Sequence, residues 1–112
     1  MADAPLSTAE FRDLGDIAGT MIPADAALGV PGADDPAILD DIARSVGRDL
    51  PLLREALAAI GAKAGGAFAS LDRGRREALI NDYFEAGSAA ARALGRVVLG
   101  AYYRDDRKEL AK

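Results

Sequence analysis

Apolar residues recur along this chain at three- and four-residue intervals, and nowhere do they alternate with polar ones over the length of a strand. Ser7-Thr8-Ala9-Glu10 has the spacing of a capping box, in which Ser7 and Glu10 each satisfy an orphan backbone donor. Phe11, Leu14, Ala18, Met21 and Ile22 then follow on one face, which predicts an amphipathic helix over residues 8–22, stopped by Pro23. Residues 23–35 carry two prolines and two glycines and read as an irregular loop. Asp35-Pro36 pairs an N-cap with proline at the first helical position, where the missing N–H costs nothing. Leu39, Ile42 and Val46 form the inner stripe of that second helix, and Gly47 ends it. Asp49 or Leu50, before Pro51, begins a third helix with Leu53, Leu57, Ile60 and Ala64 inward and Phe68 a candidate beyond them. Asp72 caps a fourth that carries Leu79, Ile80, Tyr83 and Phe84. Gly87-Ser88 interrupts the chain before a fifth, with Leu94, Val97, Val98, Ala101 and Tyr102 inward. The expected fold is all-α: a single domain, a compact bundle of about five helices without a sheet. A short tail at 1–7 and a charged tail at 104–112 flank it.

Composition narrows the chemistry. The 112 residues suffice for one domain, and although 50% are hydrophobic, many of those are alanine, so the core is lean. With no His and no Cys, the chain excludes disulfides, thiolate nucleophiles, zinc sites of the usual kind and histidine bases. A net charge of −4 and an aromatic content of 5% argue against a grip on phosphate backbones or stacked bases, so nucleic acid is not an expected partner. No apolar run approaches the roughly 20 residues of a membrane span. The start, Met1-Ala2-Asp3-Ala4-Pro5, has neither the positive nor the apolar region of a secretory signal. The chain as written is expected in the cytoplasm, or in the periplasm if a leader has been removed or a partner carries it.

Candidate functional residues are few. The carboxylates pair as Asp13/Asp16, Asp34-Asp35, Asp40-Asp41 and Asp105-Asp106, but Asp35 is better explained as a cap, and Asp40-Asp41 as charge in the first half of a helix where the dipole favours it, than as acid–base machinery. Asp25 through Asp35 lacks the alternate ligand spacing of a calcium loop, and no phosphate-cradling glycine motif follows a strand. Arg73-Gly74-Arg75-Arg76 opposes the dipole at a helix start, either as a solvated turn offset by Asp72 and Glu77 or as a patch that docks an acidic partner surface through Arg75 and Arg76. Tyr102 faces the core by register, and the adjacent Tyr103 then faces outward as a candidate interface anchor. Met21-Ile22-Pro23 ends the first helix with more apolar surface than its own stripe can hide. Gly15/Gly19 and Gly61/Gly65 place glycines one turn apart inside predicted helices. They mark either close helix approach within the domain or packing supplied by another protein.

Four stretches carry a resemblance. Phe11 through Asp25 closes a helix with an apolar pair, proline and a small-acidic turn; Pro31-Gly32-Ala33-Asp34-Asp35 follows. Phe68 to Leu79 ends in Arg76-Glu77-Ala78-Leu79, and Leu99-Gly100-Ala101-Tyr102-Tyr103-Arg104-Asp105 forms an aromatic–acidic close. In this order they resemble the gluconate 2-dehydrogenase subunit 3 family, the small (gamma) subunits of FAD-dependent dehydrogenases of the glucose–methanol–choline class. The resemblance implies a non-catalytic accessory subunit, with no cofactor or metal of its own. Its partner would be a large FAD-dependent dehydrogenase subunit that binds the flavin and oxidises a sugar or other alcohol. The small subunit would support the folding, solubility or maturation of that partner, docking through Met21, Ile22, Pro23, Arg75, Arg76 and Tyr103. The alternative is a free-standing helical interaction module or homo-oligomer without an enzyme partner.

Overall fold

The start signals legible in the sequence operate as hydrogen bonds. The Ser7 amide donates to Glu10 Oε1 at 2.9 Å while the Glu10 amide donates to Ser7 Oγ at 3.1 Å. The carboxylates of Asp35 and Asp72 accept from the amides of Ala37 and Arg75. Ser88, read from the sequence only as part of a break, also caps a helix: its Oγ accepts from the Ala91 amide. Behind these caps the computed structural model, which describes residues 6–25, 27, 29 and 31–104, holds five helices. They are α1 (Thr8–Met21), α2 (Pro36–Ser45), α3 (Leu50–Lys63), α4 (Arg73–Glu85) and α5 (Ala89–Arg104). Short 3-10 turns at Gly47–Asp49 and Phe68–Ser70 complete the regular structure, and the described residues contain no strand. The protein is an all-α bundle.

Helix α5 is the centre of that bundle. It packs most extensively on α3, and also on α2 and α4, and eight of its residues are buried, from Ala90 to Tyr102. Leu14, Ile38, Ile42, Leu53 and Ile60 supply fully buried aliphatic side chains around it, beside its own Leu94 and Val98. Ile17 and Ile38, which the predicted stripes omit, are as buried as the residues those stripes include. Phe68 is buried from its 3-10 turn rather than from α3, while Leu79 and Phe84 lie at the margin of the core. Every buried side-chain polar atom among the described residues has a hydrogen-bond partner.

Two boundaries move. Leu6, assigned to a tail, is buried at 4% exposure, and with Phe11 it occupies the two positions of a hydrophobic staple across the Ser7 cap. Arg104, also assigned to a tail, is the last residue of α5; its guanidinium grips Asp41 of α2 with two hydrogen bonds of 3.0 Å. The remainder of both tails, 1–5 and 105–112, lies outside the described residues.

The interior glycines divide. A Cβ on Gly15 would meet Leu39 Cδ1 at 3.3 Å, and one on Gly19 would meet Asp34 Cβ at 3.1 Å, so this pair marks close approach inside the domain. Gly61 faces open space, and Gly65 is not inside a helix at all. Gly65 has φ +77° and follows the C-cap Ala64; its amide donates to Ala62 O, and the Gly66 amide donates to Gly61 O at 2.8 Å. That is a Schellman close, in which a left-handed residue satisfies the last carbonyls of α3. The reading of Gly61/Gly65 as a helix-packing pair is therefore corrected: helical spacing alone cannot distinguish a packing glycine from a capping one.

These differences predict opposite responses. Gly61→Ala removes backbone freedom without a clash and should stabilise by about 0.5–1 kcal/mol, raising the melting temperature by a few degrees. Gly15→Leu should lower stability by about 1–3 kcal/mol through overpacking, and Gly65→Ala by about 1–2 kcal/mol through its left-handed backbone. Thermal unfolding followed by circular dichroism reads all three.

Glu10 supplies a pH dependence. Its carboxyl lies below its ordinary value of 4.5, chiefly because it accepts the Ser7 backbone N–H; burial opposes this, and attraction and hydrogen bonding to Arg54 add to the lowering. A depressed carboxyl stabilises the fold above 4.5, and that contribution is lost as pH falls through the lower folded-state value. Glu10→Gln should flatten the melting temperature's pH profile below 4.5 relative to the parent chain.

Candidate functional site

One face of α4 lines a continuous surface trough. Arg73, Arg76/Glu77, Ile80/Asn81 and Phe84 succeed one another at helical spacing along it. Only Ile80 and Tyr83 of α4 are buried, so this polar helix covers its neighbours incompletely and leaves the depression beside it. Three compartments join end to end. An apolar one of about 500 Å³ lies between α4 and α5, floored by Gly95 and walled by Met21, Ile80, Phe84 and Leu99. A connecting one of about 280 Å³ is bounded by Thr20, Met21, Pro23 and Glu77. A polar one of about 630 Å³ lies between α4 and the glycine face of α1, where Asp16 and Asp34 oppose Arg73 and Arg76.

The apolar compartment continues onto exposed surface. Leu99 is 42% exposed and Tyr103, one turn further along α5, is 61% exposed; they are the only large hydrophobic side chains classed as exposed among the described residues. Tyr103 leans edge-on against Tyr102, with ring centroids 5.9 Å apart. Tyr102 itself turns inward, and its hydroxyl donates to the Pro31 carbonyl at 3.1 Å.

The residues singled out in the sequence are brought together only in part. Met21, Pro23 and Arg76 line the trough, and Tyr103 stands beyond its apolar end. Ile22 is half-buried against the core, and its carbonyl accepts the Ala33 amide at 2.8 Å. Arg75 is exposed and paired with Asp72 at 3.7 Å, outside the trough lining. Arg76 is committed within the chain: it donates to the carbonyls of Leu71 and Ala69 and lies 5.7 Å from the centre of the Phe68 ring. Leu99, Phe84 and Gly95 carry the apolar compartment, and sequence reasoning missed them as site residues. Their signal was faint, an exposed leucine four residues before an exposed tyrosine.

The loop at 31–35 is clamped where two of the resembling stretches meet. A Cβ on Gly32 would fall 2.7 Å from the Ala24 backbone nitrogen, so only glycine lets the two chain segments lie this close. With Ala33 bound to Ile22 and Pro31 bound to Tyr102, the end of α1, the Pro-Gly loop and the end of α5 are joined by hydrogen bonds. No group of three or more acidic side chains among the described residues is arranged to hold a metal ion. No helix among them is long and apolar enough to cross a membrane.

Arg76→Ala should lower stability by about 1–2 kcal/mol, because two carbonyls lose a charged donor and Phe68 loses its cation. Arg75→Ala, which removes one exposed pair, should stay within about 0.5 kcal/mol of the parent. Denaturant midpoints measured on the two variants in parallel separate these effects.

Comparison with known proteins finds no family model, no curated protein and no solved structure that matches this chain.

Proposed function

We propose that this chain is the non-catalytic small subunit of an FAD-dependent sugar or alcohol dehydrogenase, binding the catalytic subunit and supporting its folding, solubility or maturation. In this reading the flavin and the reacting groups belong to the large subunit, and the small one contributes a docking surface. The observation that carries it is the pairing of exposed Leu99 and Tyr103 on α5, continuous with the apolar end of the trough. Large exposed apolar neighbours of this kind are what a protein interface uses as anchors. A standard interface takes about 800 Å² from each partner, roughly an eighth of the 6473 Å² this chain exposes. The resemblance adds weight because its motifs occupy connected positions: the helix end at Ile22, the Pro31-Gly32-Ala33 loop and the aromatic close at Tyr102. The free-standing module or homo-oligomer is the second reading, favoured by a core closed without outside help.

Co-expression with the adjacent reading frame, followed by affinity purification, tests the first reading. A large yellow flavoprotein should be retained by this chain, while the chain purified alone should be colourless and inactive as an oxidoreductase. A flavin-loaded preparation of the chain alone would end the accessory-subunit reading. Tyr103→Ala should weaken retention of the large subunit while leaving the isolated chain's melting temperature nearly unchanged; a large drop in that temperature would instead place Tyr103 in the domain's own packing.

A further inference from the structure

The two ends of the trough differ in what they leave unsatisfied. At the polar end the cations are already engaged: Arg73 pairs with Glu77 at 3.2 Å, and Arg76 is bound to backbone carbonyls. Asp16 and Asp34 have no ion pair among the described residues, so this end presents carboxylate to an incoming group. At the apolar end the bordering arginines are also engaged, Arg92 with the Gly87 carbonyl at 2.6 Å and Arg96 with Asp49 at 2.9 Å. What is offered there is hydrocarbon: Met21, Ile80, Phe84 and Leu99 over a glycine floor.

Length and backbone chemistry select the form of the occupant. From Arg73 to Phe84 the lining face of α4 runs about 16 Å at 1.5 Å per residue, which is three turns of a second helix. The walls are mostly mid-helix, where backbone groups are spent on their own i→i−4 bonds, so an extended segment would find few partners for its N–H and C=O groups. A helix brings its own backbone bonds and needs only side-chain complementarity.

Charge distribution selects against a second copy of this chain. An isologous pair has its twofold axis in the plane of contact. With the axis along the trough, the carboxylate end of one copy faces that of the other; with the axis across it, the carboxylate end faces the hydrocarbon end. Both arrangements oppose the observed chemistry.

We propose that the trough receives a three-turn amphipathic helix of the large subunit, with its apolar stripe seated between Phe84 and Leu99 and a lysine or arginine at its end against Asp16 and Asp34. This rests on the accessory-subunit reading and assigns the chemistry of the segment that docks.

The test uses two synthetic, end-blocked, fluorescently labelled peptides of about four turns. Both carry leucines at i, i+4 and i+7 in an alanine–glutamine background; one ends in two lysines and the other in two glutamates. Anisotropy titration with the full chain at low salt should show the lysine peptide binding at least about tenfold more tightly, roughly 1.4 kcal/mol. The double variant Asp16→Asn/Asp34→Asn should abolish that preference, and Leu99→Glu, at an exposed position, should abolish binding of both peptides; circular dichroism confirms that each variant is folded. Equal binding of the two peptides, no binding, or binding indifferent to Leu99→Glu overturns the proposal. So does a concentration-dependent dimer in sedimentation that Leu99→Glu dissolves, which assigns the trough to a second copy. Retention of a flavoprotein undiminished by Leu99→Glu and by the double variant would overturn this inference and leave the accessory-subunit reading standing. Charge-selective peptide binding without any retained flavoprotein would uphold the trough's chemistry and remove that reading.

Discussion

Close packing around α5 is the constraint on which the rest of this structure depends. Its buried faces combine Leu94, Val97, Val98 and Tyr102 with alanines at 90, 91, 93 and 101, so neighbouring helices must come near to touch it. Alanine is the commonest hydrophobic residue of this chain and reaches only a short way from the backbone, and dispersion falls away steeply over a fraction of an ångström. Gly15 against Leu39 and Gly95 against Phe84 are local forms of the same requirement, each bringing a helix backbone within about a side chain's reach of its neighbour. Hydrophobic burial then dominates stability. Each fully buried leucine, isoleucine or valine contributes about 1.5–3 kcal/mol gross, whereas an exposed ion pair contributes about 0–1 kcal/mol.

The ion pairs matter for placement. Arg104–Asp41 joins α5 to α2, Arg96–Asp49 joins α5 to the turn before α3, and Arg54–Glu10 joins α3 to α1. A carboxylate gripped by a guanidinium fork accepts few orientations, so these contacts restrict how one helix can slide along another. Tyr102 acts similarly on the connection between α1 and α2, where its hydroxyl holds the Pro31 carbonyl over the end of the bundle.

The trough follows from an uneven division of apolar surface. α5 is buried on much of its circumference, while α4 contributes little beyond Ile80 and Tyr83, so the face of α4 toward α1 and α5 is incompletely covered. Gly15, Gly19 and Gly95 line the same depression, each packed closely against a neighbouring side chain. Exposed Leu99 and Tyr103 extend the same surface outward. A domain can thus have a closed core and still present an anchor site to another protein.

Local chemistry determined much of what this protein is. The five helices, the caps at Ser7, Asp35 and Asp72, and the inward register of Tyr102 with its neighbour Tyr103 turned out all follow from spacing within a few residues. Capping and helical periodicity are short-range effects and leave their marks in the sequence. The tertiary structure alone decided that Gly15 packs while Gly61 faces open space, and that Arg76 turns onto Ala69 and Leu71 while Arg75 stays outside. It alone joined Met21, Phe84, Gly95 and Leu99 from three helices into one apolar compartment. The spacing between two glycines or two arginines is the same in either outcome; what differs is the distance to a helix tens of residues away, and helix crossing sets that distance.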